Sequence, residues 1–148
     1  MIDTDARKID FRIFKEINSR EATYMAGTEI ISPGSTSNLM YIVKRGLVAV
    51  RVGDTLVEEI SGGGIFGEMG IVDPQPHSAS VIAVTNSILH SVTEEQFLQL
   101  IRTTPTFALR VMRVLARRTR AMNSRMREFA IPGEDRDYGL TVSASRSR

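Results

Sequence analysis

Ser61-Gly62-Gly63-Gly64-Ile65-Phe66-Gly67-Glu68-Met69-Gly70 decides how the rest of this chain is read. Six of the 11 glycines fall between Gly53 and Gly70, and this run is the densest part. Taken literally, Gly62-x-Gly64-x-x-Gly67 matches the dinucleotide-binding fingerprint. That fingerprint needs a full helix after it, inside a βαβ unit. Here Asp73-Pro74-Gln75-Pro76 ends any helix within a turn or two, and strand-like runs follow. A kinase glycine loop fails as well, because no Val-Ala-x-Lys strand or His-Arg-Asp loop comes after it. What survives is narrower. Phe66 to Ile71 can form one short helical turn whose first amides attract an anion such as a phosphate. Glu68 would repel a phosphate, but a carboxylate beside one is suited to accept hydrogen bonds from a sugar hydroxyl. Amides and carboxylate together describe a nucleotide pocket; the alternative is a loop between strands with an exposed glutamate.

Outward from this run the chain reads as short strands. Glu29–Ser32, Leu39–Val43, Leu47–Val52, Thr55–Ile60, Ser80–Val84 and Ile88–Val92 are rich in Val and Ile. Pro33-Gly34-Ser35, Lys44-Arg45-Gly46, Gly53-Asp54 and Asp73-Pro74-Gln75-Pro76 punctuate them as turns. Gly53-Asp54, two residues wide, predicts a tight hairpin. Strands spaced this regularly predict a small antiparallel sandwich, barrel or jelly roll over residues 23–92.

Helical spacing brackets the strands. Ala6, Ile9, Ile13, Phe14 and Ile17 recur three and four apart, predicting a helix over 3–19 capped by Asp3, Thr4 or Asp5. Thr93-Glu94-Glu95-Gln96 resembles a capping box opening a short helix through Ile101. Pro105 suits the entrance of a long helix over Thr106 to Phe129. Ile131-Pro132-Gly133 stops it, and the polar residues 132–148 are expected to form a disordered tail after a domain of 1–131. The expected fold class is α+β, mainly β: an antiparallel β-roll or jelly roll with an N-terminal helix and a long C-terminal helix.

The 148 residues are 42% apolar and 24% charged, enough to bury one core without staples. With no cysteine, a disulfide scaffold, a thiolate metal site and cysteine catalysis are excluded. No run approaches the roughly 18 apolar residues of a membrane span, and the acidic start is unlike a signal peptide, so a cytoplasmic protein with no membrane partner is expected. A net charge of +2 conceals a division: residues 1–105 carry −4 and residues 106–148 carry +6.

The sequence resembles the cyclic nucleotide-binding domain family, the jelly-roll sensor of bacterial catabolite regulators, nucleotide-gated channels and kinase regulatory subunits. Ser32-Pro33-Gly34-Ser35 with Met40-Tyr41-Ile42-Val43 is similar to the turn and strand before that family's Gly46-Leu47-Val48-Ala49-Val50 strand. Phe66-Gly67-Glu68-Met69-Gly70-Ile71 resembles the opening of its phosphate-binding cassette, and Pro76-His77-Ser78-Ala79-Ser80-Val81 its close. The likeness runs from about Arg20 to Phe129. It implies an eight-stranded β-roll and cyclic AMP or cyclic GMP as ligand, with no cofactor. It also implies Glu68 as acceptor for the ribose 2′-hydroxyl, with Gly67, Met69 and Gly70 along the amide turn. Ser78 and Ala79 would offer donors to the cyclic phosphate.

One position departs from the family pattern. Where the family has an arginine paired with the phosphate, this chain has His77. Arginine is always charged and grips two oxygens; histidine offers one directed donor at shorter reach. Near neutral pH only part of it carries a proton, so phosphate binding through His77 is expected to tighten in acid.

In the long helix Ala108, Met112, Leu115, Thr119, Met122, Met126 and Phe129 alternate four and three apart, a short heptad seam. Arg110, Arg113, Arg117, Arg118, Arg120, Arg125 and Arg127 surround it. The spacing suits either docking on the chain's own sandwich or a homodimer through the 106–129 helix, with an unidentified protein partner reading the signal. Only 19 residues follow Phe129, too few for a helix-turn-helix, so no sequence-specific DNA binding is expected.

His77 and His90 lie on different segments, with no His-x-x-x-His and no paired-carboxylate spacing. No catalytic residue and no metal ligand set is nominated, and the chain reads as no enzyme. Three functions are left to weigh: a stand-alone cyclic-nucleotide sensor, a ligand-free dimerisation or docking module of the same fold, and a nucleic-acid-associated factor acting through its arginines.

Overall fold

The computed structural model describes residues 9–128. A helical turn, α1 (Arg12–Glu16), precedes β1 (Arg20–Tyr24), β2 (Glu29–Ile31), β3 (Met40–Arg45), β4 (Leu47–Val52), β5 (Thr55–Ser61) and β6 (Ile65–Phe66). A second turn, α2 (Met69–Val72), leads to β7 (Ser80–Ala83) and β8 (Ser87–Val92), then to α3 (Glu94–Thr103) and α4 (Pro105–Glu128). The strands form two antiparallel sheets, ordered β1-β8-β3-β6 and β2-β7-β4-β5. The chain changes sheet repeatedly, as in a jelly roll. This is the mainly β fold with flanking helices that the sequence led us to expect. The chain divides into two compact units at 111/112, and both sheets lie in the first.

The core between the sheets contains Ile31, Tyr41, Val43, Val48, Ile60, Phe66, Val81 and Leu89. Tyr41 and Phe66, register partners of β3 and β6, stack with ring centroids 5.0 Å apart. Four successive residues of β3, Met40 to Val43, are buried, so this strand is covered on both faces. Tyr41 and Val43 point between the sheets, and Ile42 lies opposite His90 on the outer face. There Phe14 of α1 stacks on the His90 ring and meets Phe107 of α4 edge-on, 5.7 Å away.

The tight hairpin forms as expected, with Val52 opposite Thr55 across Gly53-Asp54. Lys44 and Arg45, expected as turn residues, are instead the last residues of β3, and Gly46 alone makes the passage to β4. Its φ is +109°, and a Cβ there would stand 2.7 Å from the Ser87 Cα. Only glycine fits that corner.

At the N-terminal side the described helix is shorter than the 3–19 expected; residues 3–8, with their proposed caps, lie outside the described part. Phe11 holds the N-cap position, and Asp10 Oδ1 just before it accepts the Arg12 amide at 3.0 Å. Ile9, Phe14 and Ile17 are buried, the stripe the spacing marked. The first strand opens at Arg20, three residues before the expected start of the sheets. The capping box at Thr93 forms: Thr93 Oγ1 accepts the Gln96 amide at 3.1 Å, and Gln96 Oε1 accepts the Thr93 amide at 3.0 Å. Gln96 Nε2 also donates to the Asn18 carbonyl at 3.1 Å, tying α3 to the end of α1. The expected tail, 132–148, and Phe129 lie outside the described residues.

α4 begins at Pro105, as its sequence suggests, and buries Phe107 and Val111 in the first unit. These two are not members of the heptad seam. In the second unit the seam residues Met112, Met122 and Met126 are 57%, 62% and 67% exposed. The helix therefore carries two apolar faces, one spent on the fold and one open.

Candidate functional site

Strand β6 delivers the chain to Gly67, whose φ of +78° turns it sharply into α2. A Cβ on Gly67 would lie 2.7 Å from the Leu39 carbonyl oxygen, so both conformation and space require glycine. Gly70 is equally constrained: its Cβ would lie 2.6 Å from the Ser37 carbonyl oxygen and 3.2 Å from the Asn38 Cα. The glycines let α2 sit flush on residues 37–39.

Glu68 stands at the N-cap of α2 and is only 4% exposed. The alternative of a loop with an exposed glutamate is thereby removed. A buried carboxylate is retained where it meets polar partners, because burying one without them is costly. Within the turn the Gly70 amide donates to Gly67 O and the Ile71 amide to Glu68 O, each at 3.0 Å. The Gly70 amide is thus used inside the turn. Met69 is exposed.

The far end of the segment is laced to the same stretch of chain. The Gly34 amide donates to the His77 carbonyl at 2.7 Å, and the His77 amide to the Ser35 carbonyl at 2.9 Å. The imidazole adds a third bond, Nε2 to the Ser37 carbonyl at 2.9 Å. Ser78 beside it is exposed and Ala79 half-buried, just before β7. The Ser37 carbonyl is thus met by the backbone at Gly70 on one side and by His77 on the other.

Residues 34–39 therefore hold both ends of the Gly67–Ala79 segment, a role absent from the sequence reading. Pro33-Gly34-Ser35 was legible as a turn, but backbone carbonyls leave no mark in side-chain identity. A small cleft of about 100 Å³ opens nearby, lined by Thr36, Ser37, Gly70, Pro74, Gln75 and Pro76. Neither Glu68 nor His77 lines it.

His90 belongs to a different place. It is a buried residue of β8 on the outer sheet face, with Nδ1 3.1 Å from Ser19 Oγ and Nε2 3.2 Å from Glu21 Oε1. Burial pushes its pKa below the ordinary histidine value; the Glu21 carboxylate acts against that and Lys44 with it. Glu21 is itself held below the usual carboxylate range, chiefly by its hydrogen bond from Lys44 Nζ. Among the described residues no three His, Asp or Glu side chains gather as a metal site.

Comparison with known proteins supports the same assignment. The family model for the cyclic nucleotide-binding domain matches residues 21–104. The chain is 34% identical over 99 residues to the Pycsar effector protein XpPycTIR of Xanthomonas perforans, covering 66% of this chain and 33% of that one. It is 32% identical over 102 residues to the cyclic AMP receptor protein of Thermus thermophilus, covering 66% and 47%. The match thus spans a third to a half of these relatives. The crystal structure of the Thermus thermophilus catabolite activator protein superposes with a TM-score of 0.68 at 26% identity, over 82% of this chain and 60% of that one. Sequence motif, two-sheet topology and family match agree, and the chain belongs to the cyclic nucleotide-binding domain family.

Proposed function

We propose that this chain is a sensor, not an enzyme, and that it binds cyclic AMP or cyclic GMP in the Gly67–Ala79 segment. The observation that carries the reading is the buried carboxyl of Glu68 in a glycine turn that fits closely against residues 37–39. In this reading Glu68 accepts from the ribose 2′-hydroxyl. The backbone of Gly67, Met69 and Gly70 borders the sugar, and His77, Ser78 and Ala79 meet the cyclic phosphate. The printed names of relatives, a cyclic AMP receptor protein and a Pycsar effector among them, favour the same ligand class.

The signal leaves through α4, whose open methionine seam (Met112, Met122, Met126) favours a homodimer or a partner helix. No helix among the described residues is long and apolar enough to cross a membrane, and we place the protein in the cytoplasm on the strength of its ligand class. Titration calorimetry with both nucleotides tests the reading. Saturable heat with either one supports it. No heat from either up to millimolar ligand would favour a ligand-free docking module instead.

A further inference from the structure

A carbonyl oxygen accepts hydrogen bonds and never donates them, so Nε2 of His77, 2.9 Å from the Ser37 carbonyl, carries the hydrogen. That bond fixes the tautomer. In a neutral ring so pinned, Nδ1 is a bare lone pair. It can accept from a donor, but it has nothing to give an anion. Two main-chain bonds to Gly34 and Ser35 hold the residue in place from below. The ring's one neutral-state donor is therefore already spent on the fold.

We infer that His77 serves the cyclic phosphate only as an imidazolium, with Nε2–H kept on Ser37 and a newly added Nδ1–H given to the ligand, so that nucleotide binding takes up one proton. This rests on the proposed cyclic-nucleotide site and concerns how that site is regulated. The phosphodiester stays a monoanion across the range where histidine titrates, so the proton comes from solvent and goes to Nδ1, and no bond is made or broken elsewhere.

The surrounding charges permit it. Residues 32–39, which include the Ser37 carbonyl that Nε2 meets, carry no ionisable side chain. The titratable groups of the adjoining segments are Glu29 of β2, Glu68 and Asp73, all acidic. Arg51, whose Cα faces Ser80 across β4 and β7, gives its Nη1 to the Asp54 carbonyl at 3.3 Å. The site becomes a detector of two conditions at once, nucleotide and acidity.

Calorimetry on the full chain at pH 6 and pH 8, in two buffers of different ionisation enthalpy, reads this directly. The binding heat should differ between the two buffers, as proton uptake requires, and the Kd should be higher at pH 8 than at pH 6. His77→Gln, whose side-chain amide can keep the Ser37 bond, should bind weakly with no proton uptake. His77→Arg should bind more tightly, again with none. Equal Kd at both pH values with buffer-independent heat would overturn the inference while leaving the cyclic-nucleotide reading intact. No binding by the unaltered protein at pH 6 would overturn both.

Discussion

The imidazole of His90 stacks on the ring of Phe14, centroids 5.2 Å apart, and this contact fastens the N-terminal turn α1 to the outer face of β8. Phe11 stacks on the same imidazole at 5.7 Å. The two rings exclude water from one side of the ring, and Nε2 lies near Glu21 at an angle that gives no hydrogen bond. A neutral imidazole suits this setting and an imidazolium does not.

The sign of the pH effect follows. The folded pKa of His90 lies below its unfolded value of about 6.5, so the unfolded chain binds the proton more readily. The stabilisation is fully present above that value and is lost as pH falls from there through the folded pKa. Glu21, also depressed in the folded state, adds a loss in the same direction at lower pH, in the carboxylate range. Urea midpoints should therefore fall between pH 7.5 and pH 5.5. His90→Gln should flatten that slope; a slope unchanged in the variant would assign it to other groups.

The glycines offer a steric test of the site's frame. Gly53 and Gly67 both adopt positive φ, +59° and +78°, but a Cβ on Gly53 meets nothing within 4 Å. Gly53→Ala should therefore cost only the conformational strain, about 1 kcal/mol. Gly67→Ala adds a collision with the fixed Leu39 carbonyl and should cost about 2–4 kcal/mol. Equal losses in a denaturation series would mean that residues 37–39 yield easily.

Glu68→Gln tests the proposed ligand contact itself. An amide of nearly the same shape retains packing in the buried position but loses the charge that strengthens a bond from a ribose hydroxyl. Removing a charge-assisted bond costs on the order of 1.5–3 kcal/mol, or about ten- to 150-fold in affinity. Affinity should fall by that amount for the ribonucleotide and hardly at all for its 2′-deoxy analogue. Equal loss for both would take Glu68 away from the 2′-hydroxyl.

How far the sequence carried depended on where each constraint is written. Strands β4, β5 and β8 were legible because Val and Ile repeat along them, and the Gly53-Asp54 hairpin because its turn needs a positive φ. β1 was not: Arg20-Glu21-Ala22-Thr23-Tyr24 has little apolar signal, and its extension comes from pairing with β8. β6, two residues long, is too short to show any period. Glu68 and its glycines could be nominated from side-chain chemistry alone. The partner of His77 could not, because Ser37 contributes only a carbonyl that every residue type possesses. Likewise the seam on α4 is plain in the sequence, whereas Phe107 and Val111, which the fold buries, each stand one residue before a seam position.

The helix joint at Gln96 predicts coupling between distant segments. Thr93→Ala removes the cap and should cost about 1 kcal/mol. Gln96→Ala removes its half of the box and also the bond to the Asn18 carbonyl at the end of α1. The larger loss should belong to Gln96. The double variant should cost less than the two single losses together, because each single change already breaks the box. Strict additivity in urea unfolding would show that the two bonds act separately.

The exposed seam of α4 makes its own prediction about salt. Met112, Met122 and Met126 offer an apolar stripe, and seven arginines between positions 110 and 127 lie along the same helix. If two copies pair through this stripe, like charges approach each other, and added salt screens that repulsion. The dimer should then strengthen as ionic strength rises from about 0.05 to 0.5 M, where the Debye length shrinks to a few ångström. An acidic partner would show the opposite trend, since salt would weaken its attraction to the arginines. Sedimentation velocity across that range distinguishes the two. Met122→Glu, which sets a charge in the centre of the stripe at an exposed position, should abolish self-association at every salt concentration. Monomer throughout in the unaltered chain would leave the stripe to a partner helix.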